Sequence, residues 1–133
     1  MKIFYLVPHV PSMTKVRSYN HILGLANAGH QITVATLSRS AADLSNVEKL
    51  RQAGFNVIVE QLGRAQIALN AASVLPSTRP LQSAVMWSPV LLHRIEQQLQ
   101  LDAPDIIHVE HLRMACYGLR LRPKWPVVWD AVD

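Results

Sequence analysis

The chain reads as an α/β domain of the Rossmann-like kind, a three-layer sandwich around a mostly parallel sheet of five strands. Three observations predict it. The first apolar run, residues 3–7 (IFYLV), is too continuous to alternate, so it belongs to a strand buried on both faces. That run feeds a helical pattern through a short loop, which is how a parallel sheet begins. Strand and helix patterns then take turns along the remaining length. Right-handed crossovers and winding in two directions give the order 3-2-1-4-5.

Taken in order, residues 3–7 form strand one, and the loop at 8–15 carries Pro8 and Pro11. Residues 16–28 form helix one. Tyr19, Ile22, Leu23 and Ala26 share one face, and Arg17, Asn20, Gly24 and Asn27 another. Gly29 closes the helix, because glycine takes a positive φ without penalty. His30 then turns into strand two, QITVATL at 31–37, where a histidine serves as a structural hydrogen-bonder. Residues 38–42 read as a loop. Leu44, Val47 and Leu50 space helix two, with Ser45 and Glu48 as a capping box if the helix starts there. FNVIVE at 55–60 is strand three. A helix spans 64–75, and prolines 76 and 80 break it. Residues 81–87 are apolar but short. Ser88 and Pro89 open the next helix as N-cap and first residue, with Leu92, Ile95 and Leu99 as its buried stripe. DIIHV at 105–109 is strand four, 111–121 a helix, and 127–129 strand five.

Composition narrows the function classes. With 133 residues, half of them hydrophobic and 17% charged, the chain suits one folded domain over 1–133 and excludes disorder. The net charge of +4 is spread, and only Arg120, Arg122 and Lys124 cluster. A solvated basic surface or an anionic partner accounts for it. No basic stripe interleaves with aromatics, so no nucleic-acid partner is expected. Cys116 is alone and cannot pair within the chain, which points to a reducing, cytoplasmic compartment. Lys2 precedes only five apolar residues before Pro8, so no signal peptide is expected, and no segment is long enough to span a bilayer. The apolar stretch at 87–92 is a candidate surface for peripheral membrane contact or a partner, and an exposed sheet edge a candidate for dimerisation.

The loop at 8–17 is the first place to look for a site, because ligands of parallel sheets sit outside the carboxyl ends of the strands. That turn has no glycine, which excludes a dinucleotide fingerprint, and no phosphate loop is present. No Cys/His spacing suggests zinc, no Gly-x-Ser-x-Gly elbow occurs, and no metal or cofactor is expected. Arg17, in the first turn of helix one, could hold a phosphate or carboxylate with its fork, or be a surface arginine. Lys15 has the same two readings. His108 and Glu110 share one side of strand four, and Glu110 and His111 stand at its carboxyl end. A carboxylate there could accept hydroxyls, and a histidine could orient a phosphate or act as a base. Both could equally be loop polars capping the next helix. Asp130 and Asp133 end strand five at the same edge.

One resemblance covers nearly the whole chain. Strand one ending in proline, KVRSY at 15–19, LANAGHQITV at 25–34, PDIIHVEH at 104–111 and VWDAVD at 128–133 are similar to the amino-terminal domain of GT-B glycosyltransferases. More narrowly, the set resembles retaining, nucleotide-sugar-dependent family four, in a subgroup linked to exopolysaccharide synthesis. The resemblance implies an acceptor-side half whose donor-binding domain is absent. It implies transfer from a nucleotide-sugar donor to a polysaccharide, lipid-linked or small hydroxyl-bearing acceptor, with Lys15, Arg17, Glu110, His111 and Asp130 holding that acceptor. The fragment alone would show no turnover. The alternative is a non-catalytic α/β module that works with a separate partner chain.

Overall fold

The computed structural model describes residues 1–131 and contains a five-stranded parallel sheet in the order β3-β2-β1-β4-β5. The strands are β1 (Lys2–Val7), β2 (Gln31–Ser38), β3 (Asn56–Gln61), β4 (Ile106–Glu110) and β5 (Val127–Asp130). The helices are α1 (Val16–Asn27), α2 (Ala41–Gln52), α3 (Arg64–Val74), α4 (Leu81–Val85), α5 (Pro89–Leu101) and α6 (Ala115–Leu121). This is the Rossmann-like arrangement the alternating pattern predicts. Asp133 lies outside the described residues.

Alternation along β1 divides the core. Phe4 and Leu6 point to one face, where Leu91, Ile95 and Leu99 of α5 and Tyr117 and Leu121 of α6 meet them. Ile3, Tyr5 and Val7 point to the other, against Ile22 of α1 and Val47 and Leu50 of α2. The chain thus winds one way through β1, β2 and β3, then returns to place β4 beside β1. The switch point falls between β1 and β4, where adjacent loops leave in opposite directions and open a crevice.

Several boundaries differ from the sequence reading, each for a local reason. Helix α2 starts at Ala41 and not near Ser45, because Ser40 caps it by accepting from the Asp43 amide at 3.1 Å. The stretch at 81–87 holds a short helix, α4, tied to α3 through Asn70, whose amide donates to the Val85 and Trp87 carbonyls. The helix read over 111–121 is in fact a 3₁₀ turn, Leu112–Met114, followed by α6, because His111 takes a backbone conformation that no helix admits. The 87–92 stretch mostly packs inward. Leu91 is fully buried, Trp87 lies 5.1 Å from the Tyr117 ring and under Arg120, and Val90 stays exposed.

Two glycines end helices in the left-handed region, Gly29 at φ 89° after α1 and Gly54 at φ 95° after α2. His30 accepts from the amino terminus at 3.2 Å, which makes it a structural hydrogen-bonder. Asp105 caps the start of β1 by accepting from the Lys2 amide at 2.6 Å. No helix among the described residues is long and apolar enough to cross a membrane.

Candidate functional site at the switch point

The site begins with Tyr5, an aromatic inside an apolar strand. Parallel pairing sets Tyr5 beside His108 of β4. Their rings stack at 4.5 Å between centroids. The Tyr5 hydroxyl reaches the end of β4 and donates to Glu110 Oε2 at 2.5 Å. From α1, the Ser18 hydroxyl donates to Glu110 Oε1 at 2.7 Å. Glu110 is only 5% exposed, so each oxygen needs such a donor to remain buried as a carboxylate. Burial first, and then this bond to Glu110, hold the Tyr5 hydroxyl far above its ordinary pKa, so it is a fixed donor.

A second imidazole joins from α1. His21 Nδ1 lies 3.0 Å from the Tyr5 hydroxyl oxygen. The single phenol proton goes to Glu110, so His21 is the donor there and keeps its lone pair on Nε2. The His21 and His108 rings meet edge to face at 5.1 Å. Beyond them stands Asp130 at the end of β5, with Oδ2 accepting from Arg17 at 2.8 Å and 3.9 Å from His108 Nε2. Burial, followed by repulsion from the His21 ring whenever that ring takes up a proton, lowers the His108 pKa. The ring is therefore neutral near pH 7.

The turn after β4 is strained. His111 has φ 73° and ψ 145°, a region that residues with a Cβ avoid at a cost of about 1–3 kcal/mol. Three hydrogen bonds hold it there. Its amide donates to the Asp130 carbonyl at 2.9 Å, its carbonyl accepts from the Met114 amide at 3.1 Å, and its Nδ1 accepts from the Arg113 amide at 3.3 Å.

Of the residues singled out in the sequence, Lys15, Arg17, Glu110 and His111 line one cavity of about 270 Å³, together with His9 and Ser18. Asp130 stands at its margin through the pair with Arg17. The N-terminus of α1 has no side-chain cap and no acid in its own first turn, and the carboxylate that meets that turn is Glu110 of β4, through Ser18. Burial, then Lys15, lowers the His9 pKa, which leaves that ring neutral as well. The sequence did not single out Tyr5, Ser18 or His21. Tyr5 looked like core, and Ser18 like an ordinary helix residue. A spacing signal existed for His21, which follows Arg17 by four residues and so lies one helical turn along the same face. A larger cavity, about 560 Å³, lies between α6 and β5 around Trp125 and Trp129. Its only charged lining residue is Arg122, and it lies away from the switch point, so the polar cavity is the better candidate.

No family model matches the chain, and no curated protein matches it. A solved structure similar to it is that of a predicted subunit of a tRNA methyltransferase from Methanocaldococcus jannaschii. The identity is 13% and the TM-score 0.49, over 99% of this chain and 68% of that one. Membership in glycosyltransferase family four, with its transferase function and polysaccharide role, is thereby corrected. The comparisons return no such family: neither a family model nor a curated relative supports it. The physical reason is that the motifs behind the resemblance are occupied with folding. Gly29 ends a helix, His30 holds the amino terminus, and Asp105 caps the first strand. Such residues report the α/β fold and leave the activity unspecified.

Proposed function

We propose that the protein is a ligand-binding α/β domain that holds an anionic, hydroxyl-bearing small molecule at the switch point between β1 and β4. The observation that carries this reading is the mixed lining of the 270 Å³ cavity. Lys15, Arg17 and the uncapped end of α1 offer positive potential, while Glu110 offers a buried carboxylate that accepts hydroxyl donors. A bare anion satisfies only the first set, and a neutral polyol only the second. A phosphate monoester of a short polyol satisfies both.

Glycerol 3-phosphate, inorganic phosphate and glycerol separate these cases in NMR titrations of the labelled chain. Glycerol 3-phosphate should shift the amides of residues 15–18 and 110–111 at lower concentration than either simpler compound. Replacing both Lys15 and Arg17 by alanine should weaken it more than about tenfold, since each charge-assisted bond contributes about 1.5–3 kcal/mol. Equal response to all three compounds, or shifts scattered over other lysines and arginines, would defeat the reading.

A further inference from the structure

His21, His108 and Asp130 each offer a donor atom within 4.8 Å of the other two. They come from α1, β4 and β5, so three separate elements converge on one point. Two features set the group apart from a chance meeting of polar side chains. The first is His108 Nε2, which is buried, has no hydrogen-bond partner, and lies 3.9 Å from Asp130 Oδ2. An orphaned imidazole nitrogen is costly unless something binds it. The second is the support around the group. His21 donates its Nδ1 proton to Tyr5, which in turn is held by Glu110. Metal-binding imidazoles are typically oriented by such a bond from the other ring nitrogen.

From this geometry we infer that His21, His108 and Asp130 form a site for a divalent transition-metal ion of the zinc class. Two neutral imidazoles and one carboxylate match that class better than calcium or magnesium, which prefer oxygen ligands throughout. Metal–ligand distances of about 2.1 Å require donors roughly 3–3.5 Å apart, so the group must contract by about an ångström. His21 is exposed at the surface of α1 and has room to do so. Three protein ligands leave further positions on the ion open toward solvent. Arg17 is the competitor, because its guanidinium already sits on Asp130 Oδ2. It is 55% exposed, in a pair of the kind that contributes little, and it can swing away. The inference does not rest on the proposed anion ligand, because His21, His108 and Asp130 are not among the residues that line that cavity.

Isothermal titration of the full chain with zinc chloride near neutral pH, and visible spectra with cobalt(II) as substitute, test the site. One ion per chain should bind, with cobalt d–d bands that mark imidazole and carboxylate ligation. His21→Ala and Asp130→Asn should each weaken zinc by more than about tenfold. His93→Ala, at an exposed histidine on α5, should leave it unchanged. Arg17→Ala should tighten zinc while weakening glycerol 3-phosphate, so the two proposals fail separately. Zinc affinity that is the same in His21→Ala and Asp130→Asn as in the parent, or no stoichiometric binding, would overturn the assignment.

Discussion

On one face of β1, Phe4 and Leu6 enter an apolar cluster with Ile107 and Val109 of β4. On the other face, Tyr5 takes part in a chain of polar groups that runs through Glu110, His21 and His108 to the neighbourhood of Asp130. Both faces are built by the same strands with the same pleat. What differs is the cover. Helices α5 and α6, with α3 and α4 beyond, pack the first face, while α1 and α2 lie over β1, β2 and β3 on the second. The second face of β4 and β5 is therefore less covered, and Val128 remains 45% exposed. The dry face supplies stability by burial. The wet face is where a side chain can meet a ligand; Tyr5, Ser18, His21 and Glu110 hold one another there, while His108 Nε2 has no partner.

Substitutions on the two faces should separate these roles. The largest effect is expected on the dry face. Ile95→Ala, at a fully buried position, should cost about 2–5 kcal/mol in urea denaturation and leave glycerol 3-phosphate binding intact at temperatures where the chain stays folded. Next comes Glu110→Ala, which strands the hydroxyls of Tyr5 and Ser18. A loss of about 1–3 kcal/mol is expected, with abolished ligand shifts in NMR, and Glu110→Gln should recover part of the stability. If Glu110→Ala proves as costly as Ile95→Ala, the wet face is as structural as the dry one and the contrast dissolves.

Around pH 6.5, acid should act through the wet side. His9 and His108 both bind protons less readily when folded than their ordinary value of 6.5. The unfolded chain therefore takes up those protons first. Their contribution is intact above about pH 6.5 and is lost as the pH falls through that value toward the lower, folded one. Melting temperatures followed across this range should fall, and His108→Asn should flatten part of the slope. The smallest stability effect belongs to Arg17→Ala. Its pair with Asp130 is exposed, so a change within about 1 kcal/mol is expected despite the large effect on ligand and metal titrations.

The order of the sheet was legible in the residues because strand and helix patterns alternate and chirality leaves few ways to connect them. The end of β4 was legible too, since alternation alone puts His108 and Glu110 on one side. The partners of those two residues were not. Tyr5 meets His108 only through the register of β1 against β4, which pairs residues more than a hundred positions apart. His21 meets them only because α1 packs over that edge. A ligand set drawn from three elements leaves no fixed Cys or His interval in the sequence to read. The resemblance to a transferase misled for a related reason: Gly29, His30 and Asp105 are needed by a turn and a strand start, whatever the fold goes on to do.

The turn at His111 carries one more consequence. Its imidazole lines the cavity, and the same ring steadies an unfavourable backbone by accepting from Arg113. A ligand that takes over Nδ1 must release that amide, so occupancy and local backbone geometry are thermodynamically linked, each shifting the other by the same free energy. Ligands that leave Nδ1 alone and approach the opposite ring nitrogen escape the linkage. The turn thereby acts as a filter on approach direction, selecting among molecules of equal charge by the side from which they reach a single ring.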